Sequence, residues 1–231
     1  MQLIGLVTWG YAAACALWGI RTERISVRAV RVAAAALLAG SMSVTVALVL
    51  RGGMDRIQTL LPLHLCSACA ILSLIFYVRP AQWMFAFLFY VGMPGAALAL
   101  CFPAVAVSRW QDAMDACFFL THALVIFAPA LHIAAGTLPE VKHAWGAYAA
   151  LLLFAGIVYA LNAALGTNYL FLMGAPAGTP LVWLWRQGRI AYYGALGVLS
   201  LAVVMAQRAV ARMLCKRSFC ADERKARHSD V

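Results

Sequence analysis

Residues 29–50, AVRVAAAALLAGSMSVTVALVL, decide the fold class, because Arg31 alone brings a charge into an otherwise apolar run. About 20 apolar residues in a helix cross the roughly 30 Å hydrocarbon layer of a membrane. In lipid the backbone polar groups must bond within the segment, so a continuous run of this length forms a helix. The stretch therefore predicts a membrane-spanning α-helix.

Further apolar segments of similar length follow one another along the chain, separated by short polar or Pro/Gly-containing breaks. The chain is 65% hydrophobic and 11% charged, whereas a soluble domain carries about a quarter charged residues. We expect an all-α fold, a bundle of seven transmembrane helices in a single domain of residues 1–212. The predicted spans are about 2–20, 29–50, 60–79, 81–101, 115–136, 144–164 and 190–212.

The distribution of basic residues predicts how the bundle is oriented. Cytoplasmic loops carry an excess of Lys and Arg. With the N-terminus outside, only five of the 18 Lys and Arg fall on the outer side. We therefore expect an N-out, C-in protein of the inner or plasma membrane, with residues 213–231 as a basic cytoplasmic tail. The five outer residues are Arg51, Arg56, Arg109, Arg186 and Arg189.

The formal charge of +10 does not indicate nucleic-acid binding, since the basic residues flank apolar runs and no nucleic-acid motif is visible. Seven cysteines, mostly inside predicted spans, do not form a secreted disulfide framework. The beginning MQLIGLVTWG lacks the basic region of a cleaved signal, so we expect the first run to remain as a span. Membrane lipids are the expected partners, and no particular protein partner is indicated.

The connection at residues 165–189, LGTNYLFLMGAPAGTPLVWLWRQGR, differs from the others. Gly and Pro interrupt it too often for a regular span, yet it is too apolar for a solvated loop. We expect a re-entrant or interfacial segment on the outer side, with Trp183 and Trp185 at the level of the lipid headgroups.

Polar residues inside the predicted membrane concentrate at one depth. His64 and Cys66 lie near the outer end of the third span, and His122 lies about two turns into the fifth. Asn168 and Tyr169 follow the outer end of the sixth span. Ionisable groups within spans are costly and usually functional, so we expect a polar pocket at this level. His132 would lie about 15 Å deeper, in another layer.

The motif LPLHLCSACA, residues 61–70, permits several kinds of site. In a regular helix His64 and Cys66 point about 200° apart, which disfavours a metal held by both. A haem or metal bridge between His64 and His122 is an alternative. Cys66 and Cys69 form a C-x-x-C near a helix N-terminus, as in thiol–disulfide oxidoreductases. Both thiols could equally pack between helices.

Nucleophilic catalysis is the remaining interpretation of the motif. A histidine base on another helix lowers the pKa of a thiol and produces a thiolate for acyl transfer. His122 is expected at the depth of Cys66. His64, Asn168 or Tyr169 could orient the base or donate a hydrogen bond to an oxyanion. Access from the outer leaflet would suit a lipid ester as substrate.

Three stretches carry a family resemblance: LPLHLCSACAIL (61–72), FFLTHALVIFAPALH (118–132) and LGTNYLFLMGAPAGTPL (165–181). With them the chain resembles the YwaF-like bacterial integral membrane proteins over roughly residues 45–205. That family is similar to an animal transmembrane protein proposed to be a cysteine-dependent acyltransferase for ether phospholipids. The positions that match the family pattern are His64, Cys66, His122, Pro129, Asn168 and Tyr169.

The resemblance implies a seven-helix protein in which Cys66 accepts the acyl group and His122 is the base. We assign His64 as a third catalytic residue, and Asn168 and Tyr169 to substrate binding, without metal or cofactor. The hypothesis is a lipid acyltransferase or ester hydrolase. The alternatives are a non-enzymatic lipid- or solute-binding or transport protein, and a thiol–disulfide oxidoreductase acting through Cys66 and Cys69.

Overall fold

The computed structural model describes residues 13–20, 25–52, 56–103, 109–176, 179 and 181–229, with residues 56 and 217–229 described by their backbone alone. Helices and irregular segments make up these residues, without a β-strand among them. The all-α prediction is confirmed for this part of the chain. The elements are α1 (13–20), α2 (Val27–Gly52), α3 (Arg56–Leu60), α4 (Leu65–Val78), α5 (Gln82–Phe87), a π-helical turn (Leu88–Gly92), α6 (Met93–Cys101), α7 (Gln111–Ala134), α8 (His143–Leu165), a 3₁₀ turn (Tyr169–Phe171), α9 (Leu181–Arg186) and α10 (Arg189–Ser229).

Within the described residues, five helical segments are long and apolar enough to cross a membrane. Each coincides with a predicted span. The third predicted span contains α4, an apolar helix of 14 residues. Most of the first predicted span, residues 1–12, lies outside the described residues. The five segments are α2, the continuous helix Gln82–Cys101, α7, α8 and the Arg189–Lys216 part of α10.

Helix α4 begins at Leu65, later than the predicted start at about residue 60. Proline at position 62 disfavours the α conformation at Leu61 and cannot donate a backbone hydrogen bond. The chain turns instead, with the Leu63 amide donating to the Leu61 carbonyl at 2.8 Å. His64 is therefore the extended residue before the helix (φ −74°, ψ 141°) and is not part of its first turn.

A widened turn interrupts the helix Gln82–Cys101 at Leu88–Gly92. Pro94, just beyond it, has no N–H and its ring clashes with the carbonyl four residues earlier, so a regular α-turn is disfavoured there. The Phe89 carbonyl accepts a hydrogen bond from Gln207 Nε2 of α10 at 3.0 Å. The side chain from α10 thus satisfies a backbone group of the distorted helix within the apolar layer.

Hydrogen bonds at the two ends of α2 establish the direction of α4. Near the beginning of α2, Arg31 donates to the carbonyls of Tyr77 and Val78 at 2.8 and 3.1 Å. Beyond the other end of α2, Gln58 of α3 lies 3.5 Å from the His64 ring. Since α4 starts near the end of α2 and ends near its beginning, the two helices are antiparallel.

Helix α7 is also antiparallel to α2 and hence parallel to α4. Ser41, ten residues after Arg31, contacts the Thr121 hydroxyl at 2.9 Å. The His132 ring meets the Phe76 ring at 5.1 Å, near the beginning of α2. Cys66 lies ten residues before Phe76, and His122 ten residues before His132. Both are therefore about 15 Å from the Phe76–His132 level, in one layer of the bundle.

The helices differ in how much of their surface the bundle covers. Half of the most apolar part of α7 is buried, but only 11% of that of α8 or α10. Leu153 of α8 and Val198 of α10 are 68% and 69% exposed. Large apolar side chains on the outside of long helices are suited to lipid, while α7 lies at the centre of the bundle.

Candidate functional site

One group of polar side chains gathers at the end of α2 opposite Arg31, and we call it the His64 cluster: Gln58, His64, Asn168 and Tyr169. Gln58 Oε1 accepts from the Asn168 backbone amide at 3.0 Å, and its Nε2 lies 3.5 Å from His64 Nε2. The His64 ring stands edge-on to the Tyr169 ring, with centroids 4.9 Å apart. Gln58, which the sequence did not single out, thus joins His64 to Asn168, and the His64 ring contacts Tyr169.

The part of this cluster after α8 is built on Asn162. Its Oδ1 accepts from the Tyr169 amide at 2.8 Å and from the Thr167 hydroxyl at 2.9 Å. Its Nδ2 donates to the Tyr169 carbonyl at 2.9 Å. Because Asn162 is 1% exposed and bonds both backbone groups of Tyr169, it determines where this residue and its ring lie.

The segment after Tyr169 has an uncommon backbone. Leu170 and Phe171 have φ of +55° and +56°, a region that residues with a Cβ rarely adopt. The Tyr169 hydroxyl donates to the Ile57 carbonyl, and the hydroxyls of Tyr192 and Tyr193 donate to the carbonyls of Phe171 and Leu172. These tyrosines hold the turn in place, and their hydrogen bonds stabilise the strained backbone conformation of Leu170 and Phe171.

The side chain of Asn168 is bonded within its own segment. Nδ2 donates to the Gly174 carbonyl at 3.0 Å, and Oδ1 accepts from the Met173 amide at 2.8 Å. Tyr169 is fully buried, and its hydroxyl contacts Ile57. Both predicted substrate-binding residues therefore make their hydrogen bonds within the protein.

His122 lies in α7 and is 4% exposed. Its Nδ1 is 2.7 Å from the Phe118 carbonyl, and its ring is 4.1 Å from the Phe118 ring. A carbonyl oxygen only accepts, so Nδ1 carries the proton and Nε2 of the neutral ring carries a lone pair. Within the described part of the chain, this buried Nε2 has no hydrogen-bond partner. The tautomer is the one that a general base requires.

The two cysteines of the C-x-x-C differ in exposure. Cys66 is half-buried, whereas Cys69 is 1% exposed, and both are free thiols. A Cβ placed on Gly92 would lie 3.3 Å from Cys69 Sγ. Cys69 therefore fills the contact between α4 and the π-helical turn, and Cys66 is the more accessible thiol of the pair.

The predicted site residues fall into two groups. His64, Asn168 and Tyr169 are in one cluster, while Cys66 and His122 share a layer of the bundle. His122 makes its hydrogen bond and its ring contact with Phe118, and with neither Cys66 nor His64. Among the described residues, no three His, Cys, Asp or Glu side chains lie close enough together to hold a metal.

Two residues of the site were missed by the sequence reasoning. Gln58 lies in a short helix before Pro62, and a single glutamine there looks like an ordinary interfacial residue. Asn162 lies within the sixth predicted span, where a single neutral amide does not by itself indicate a role. Its position four residues before Gly166, a left-handed helix end (φ +66°), is the signal that could have assigned it to the turn.

Comparison with known proteins identifies a family for the chain. The model of the TMEM164 family matches residues 2–206, which include α2 to α9, the His64 cluster, Cys66 and His122. No curated protein and no solved structure matches the chain.

Proposed function

The chain belongs to the TMEM164 family of membrane proteins, and on that basis we propose that it transfers or hydrolyses acyl esters of membrane lipids through Cys66. His122 is the base in this proposal. The observation that carries it is the buried lone pair of His122 Nε2, which has no partner among the described residues. It lies in the same layer as the Cys66 thiol. A thiol and an imidazole acceptor are the two groups that cysteine acyl transfer needs.

The first chemical step uses these two groups alone. His122 Nε2 takes the proton from Cys66 Sγ, and the thiolate attacks the carbonyl carbon of the lipid ester. The C–O bond of the ester breaks, and the departing lysolipid oxygen takes the proton from His122. Cys66 then carries the acyl group as a thioester.

The second step returns the protein to its starting state. The hydroxyl of an acceptor lysolipid gives its proton to His122 and attacks the thioester carbonyl. The C–S bond breaks, and Cys66 recovers the proton from His122. With water as the acceptor, the same sequence is hydrolysis and releases a fatty acid. No metal or cofactor takes part in the proposed steps.

The Phe118 carbonyl supports the role of His122. By accepting from Nδ1 at 2.7 Å it holds the imidazole in the tautomer with a free Nε2, and it also stabilises the imidazolium formed in the first step. The proximity of Phe118 and the burial of the ring limit its rotation. A thiol proton donor must approach Nε2, since Nδ1 is already bonded.

The His64 cluster has a supporting role in the proposal. The His64 ring is half-buried between Gln58 and Tyr169, one residue before α4 and two before Cys66. We assign it to assisting the reaction at the ester, and Asn168 and Tyr169 to substrate binding, where the buried Tyr169 acts by holding the His64 ring in place. Cys69 packs against the π-helical turn, which supports acyl transfer over the thiol–disulfide alternative.

The proposal also includes the placement of the chain in the membrane. In a seven-span bundle with the N-terminus outside and the C-terminus inside, the His64 cluster lies at the outer leaflet and the beginning of α2 lies at the cytoplasmic side. We assign the chain to the YwaF-like bacterial branch of the family and to the inner or plasma membrane, with membrane lipids as substrates. The dominance of Lys and Arg on the predicted inner side supports this orientation.

Labelling with an activated acyl lipid probe tests the proposal. The wild-type protein should acquire one acyl group, and Cys66→Ala should acquire none. His122→Gln keeps a polar side chain but removes the base, so labelling should slow by about 10²–10⁴-fold, the usual contribution of a general base.

Cys69→Ala is the matched control, because it removes a neighbouring thiol of the same helix and should label at the wild-type rate. If Cys66→Ala and His122→Gln label like the wild type, the proposed chemistry is wrong. A lipid that co-purifies with the protein and never becomes covalently attached would favour the lipid-binding alternative instead.

A further inference from the structure

A cavity lies at the opposite end of the bundle from the His64 cluster, where α2 begins and α4 ends. Its volume is about 200 Å³, well above the roughly 10–15 Å³ that a cavity needs to hold one water molecule, so a polyatomic group fits. We call it the basic-end cavity. The residues that the argument uses are Arg31, Phe76, Tyr77, Pro80, His132 and Thr137.

Arg31 brings a positive charge to this cavity. Its Nε and Nη2 donate to the last carbonyls of α4, those of Tyr77 and Val78. Within the described residues the guanidinium has no carboxylate in ion-pair range. Its Nη1 hydrogens are left over from these bonds, since a guanidinium carries five N–H donors. A cation with spare donors beside a cavity is suited to an anion.

His132 and Thr137 add polar groups to the same wall. The His132 ring is held between Phe76 and Phe85, with centroids 5.1 and 4.8 Å away. Neither its ring nitrogens nor the Thr137 hydroxyl hydrogen-bonds to another described side chain. The Thr137 amide donates to the His132 carbonyl at 3.1 Å, so both side chains are presented by one turn at the end of α7.

Among the described residues, the charged side chains at this end of the bundle are mostly basic. Arg28 is exposed and lies about one helical turn before Arg31. Arg79 is also exposed and is the residue before Pro80. Glu140 follows Thr137 by three positions, and its oxygen is 2.6 Å from Lys142 Nζ. Hydrogen bonding to Lys142 keeps the pKa of this exposed carboxyl below its ordinary value. Glu140 is therefore already paired, and it does not neutralise Arg31.

Position along the helices indicates which anion fits. The cavity is at the ends of two apolar helices, Val27 of α2 and Val78 of α4, and the ends of helices that span the hydrocarbon layer are expected near the lipid phosphates. Basic pockets between membrane helices bind lipid headgroups there. We propose that the basic-end cavity binds a phosphate group, with Arg31 as its principal ligand and His132 and Thr137 as additional donors.

This site is distinct from the proposed acyl-transfer centre. Cys66 and His122 lie about 15 Å from the level of Phe76 and His132, so the phosphate of a lipid bound here would be far from the thiol. The phosphate could belong to a lipid headgroup or be free in solution. Titration of the purified full-length chain in a non-ionic detergent distinguishes these sources.

The titrants are short-chain phosphatidylglycerol, short-chain phosphatidylcholine and inorganic phosphate, with bound ligand counted by native mass spectrometry. We expect saturable binding of one phosphatidylglycerol. Arg31→Gln keeps an N–H donor for the α4 carbonyls but removes the charge, and it should weaken binding about tenfold or more, the effect of losing a charge-assisted hydrogen bond. Arg51→Gln, an exposed arginine at the other end of α2, is the matched control and should bind like the wild type.

Inorganic phosphate that competes with phosphatidylglycerol would indicate that the phosphate alone is recognised. Absence of competition would indicate a lipid headgroup. Binding that is equal in wild type and Arg31→Gln, or no saturable binding of any phosphate compound to the wild type, overturns the proposal. Thr137→Val removes a hydroxyl without changing shape and provides a second test: it should also weaken binding, by less than Arg31→Gln.

Discussion

At the scale of single residues, buried polar side chains form the hydrogen bonds that hold particular segments of the bundle in place. Asn162 bonds both backbone groups of Tyr169, and Ser41 joins α2 to α7 through Thr121 and the Cys117 carbonyl. A buried polar group without a partner costs about 1–3 kcal/mol. A fold tolerates this cost when a ligand or substrate supplies the missing hydrogen bond. The unpartnered Nε2 of His122 is therefore consistent with a role in binding or catalysis.

Asn162→Ala should lower the free energy of unfolding by about 1–3 kcal/mol, because it leaves the Tyr169 amide, the Tyr169 carbonyl and the Thr167 hydroxyl without their partner. Thermal unfolding of the purified protein in detergent measures the change. Ser43→Ala is the control, since its exposed hydroxyl donates to the Ala39 carbonyl of its own helix and joins no other element among the described residues. Equal melting temperatures of the two variants would contradict the role given to Asn162.

At the scale of helices, the sequence predicted where apolar segments lie but not their irregularities. The third span was predicted from about residue 60, and hydropathy could not show that α4 begins at Leu65, because LPL is apolar whether or not it is helical. Proline at position 62 was the available signal. Likewise Pro94 indicates a distortion before it, but the contact between Gln207 and Phe89 that stabilises the π-helical turn joins residues far apart in the chain.

At the candidate site, too, the sequence predicts positions along helices but not contacts between segments. The depth of His64, Cys66 and His122 follows from counting residues along helices, so their layers could be predicted. The regular-helix assumption placed His64 and Cys66 on opposite faces, whereas His64 precedes the helix and contacts Tyr169. Gln58 could not be found because its two partners, His64 and Asn168, depend on how α3 and the turn after α8 pack together.

Gly92→Ala should destabilise the protein, because the added Cβ would lie 3.3 Å from Cys69 Sγ and 3.1 Å from Leu88 Cδ2. Overpacking of a tight contact costs about 1–3 kcal/mol, measured again as a loss of unfolding free energy in detergent. Adding Cys69→Ala to Gly92→Ala should restore part of that loss. Gly156→Ala, with open space around its position, should be neutral or stabilising. A Gly92→Ala variant as stable as Gly156→Ala would show that the π-helical turn and α4 are not in close contact.

At the scale of the whole molecule, the bundle has two chemically different ends. Arg28, Arg31 and Arg79 mark one end, and the His64 cluster marks the other. α7 is central and α8 and α10 present apolar surface outward, as expected for a protein in lipid. The proposed orientation assigns the basic end to the cytoplasm.

The orientation predicts which introduced cysteines a membrane-impermeant maleimide reaches in intact cells. In a background without native cysteines, Gln187→Cys should be labelled and Glu140→Cys should not, because the two exposed positions are predicted on opposite sides. Opening the cells should expose Glu140→Cys as a control for its reactivity. Labelling of Glu140→Cys but not Gln187→Cys in intact cells would reverse the orientation.

The acyl-enzyme itself gives the most direct test of the central claim, that Cys66 accepts an acyl group with His122 as its base. The purified chain is incubated with a diacyl phospholipid, quenched at acidic pH and mapped by peptide mass spectrometry. The account predicts an acyl thioester on Cys66 that disappears when a lysolipid acceptor is added and that forms about 10²–10⁴-fold more slowly in His122→Gln. A protein that never carries an acyl group, or carries it on Cys69 while Cys66 stays free, would contradict it.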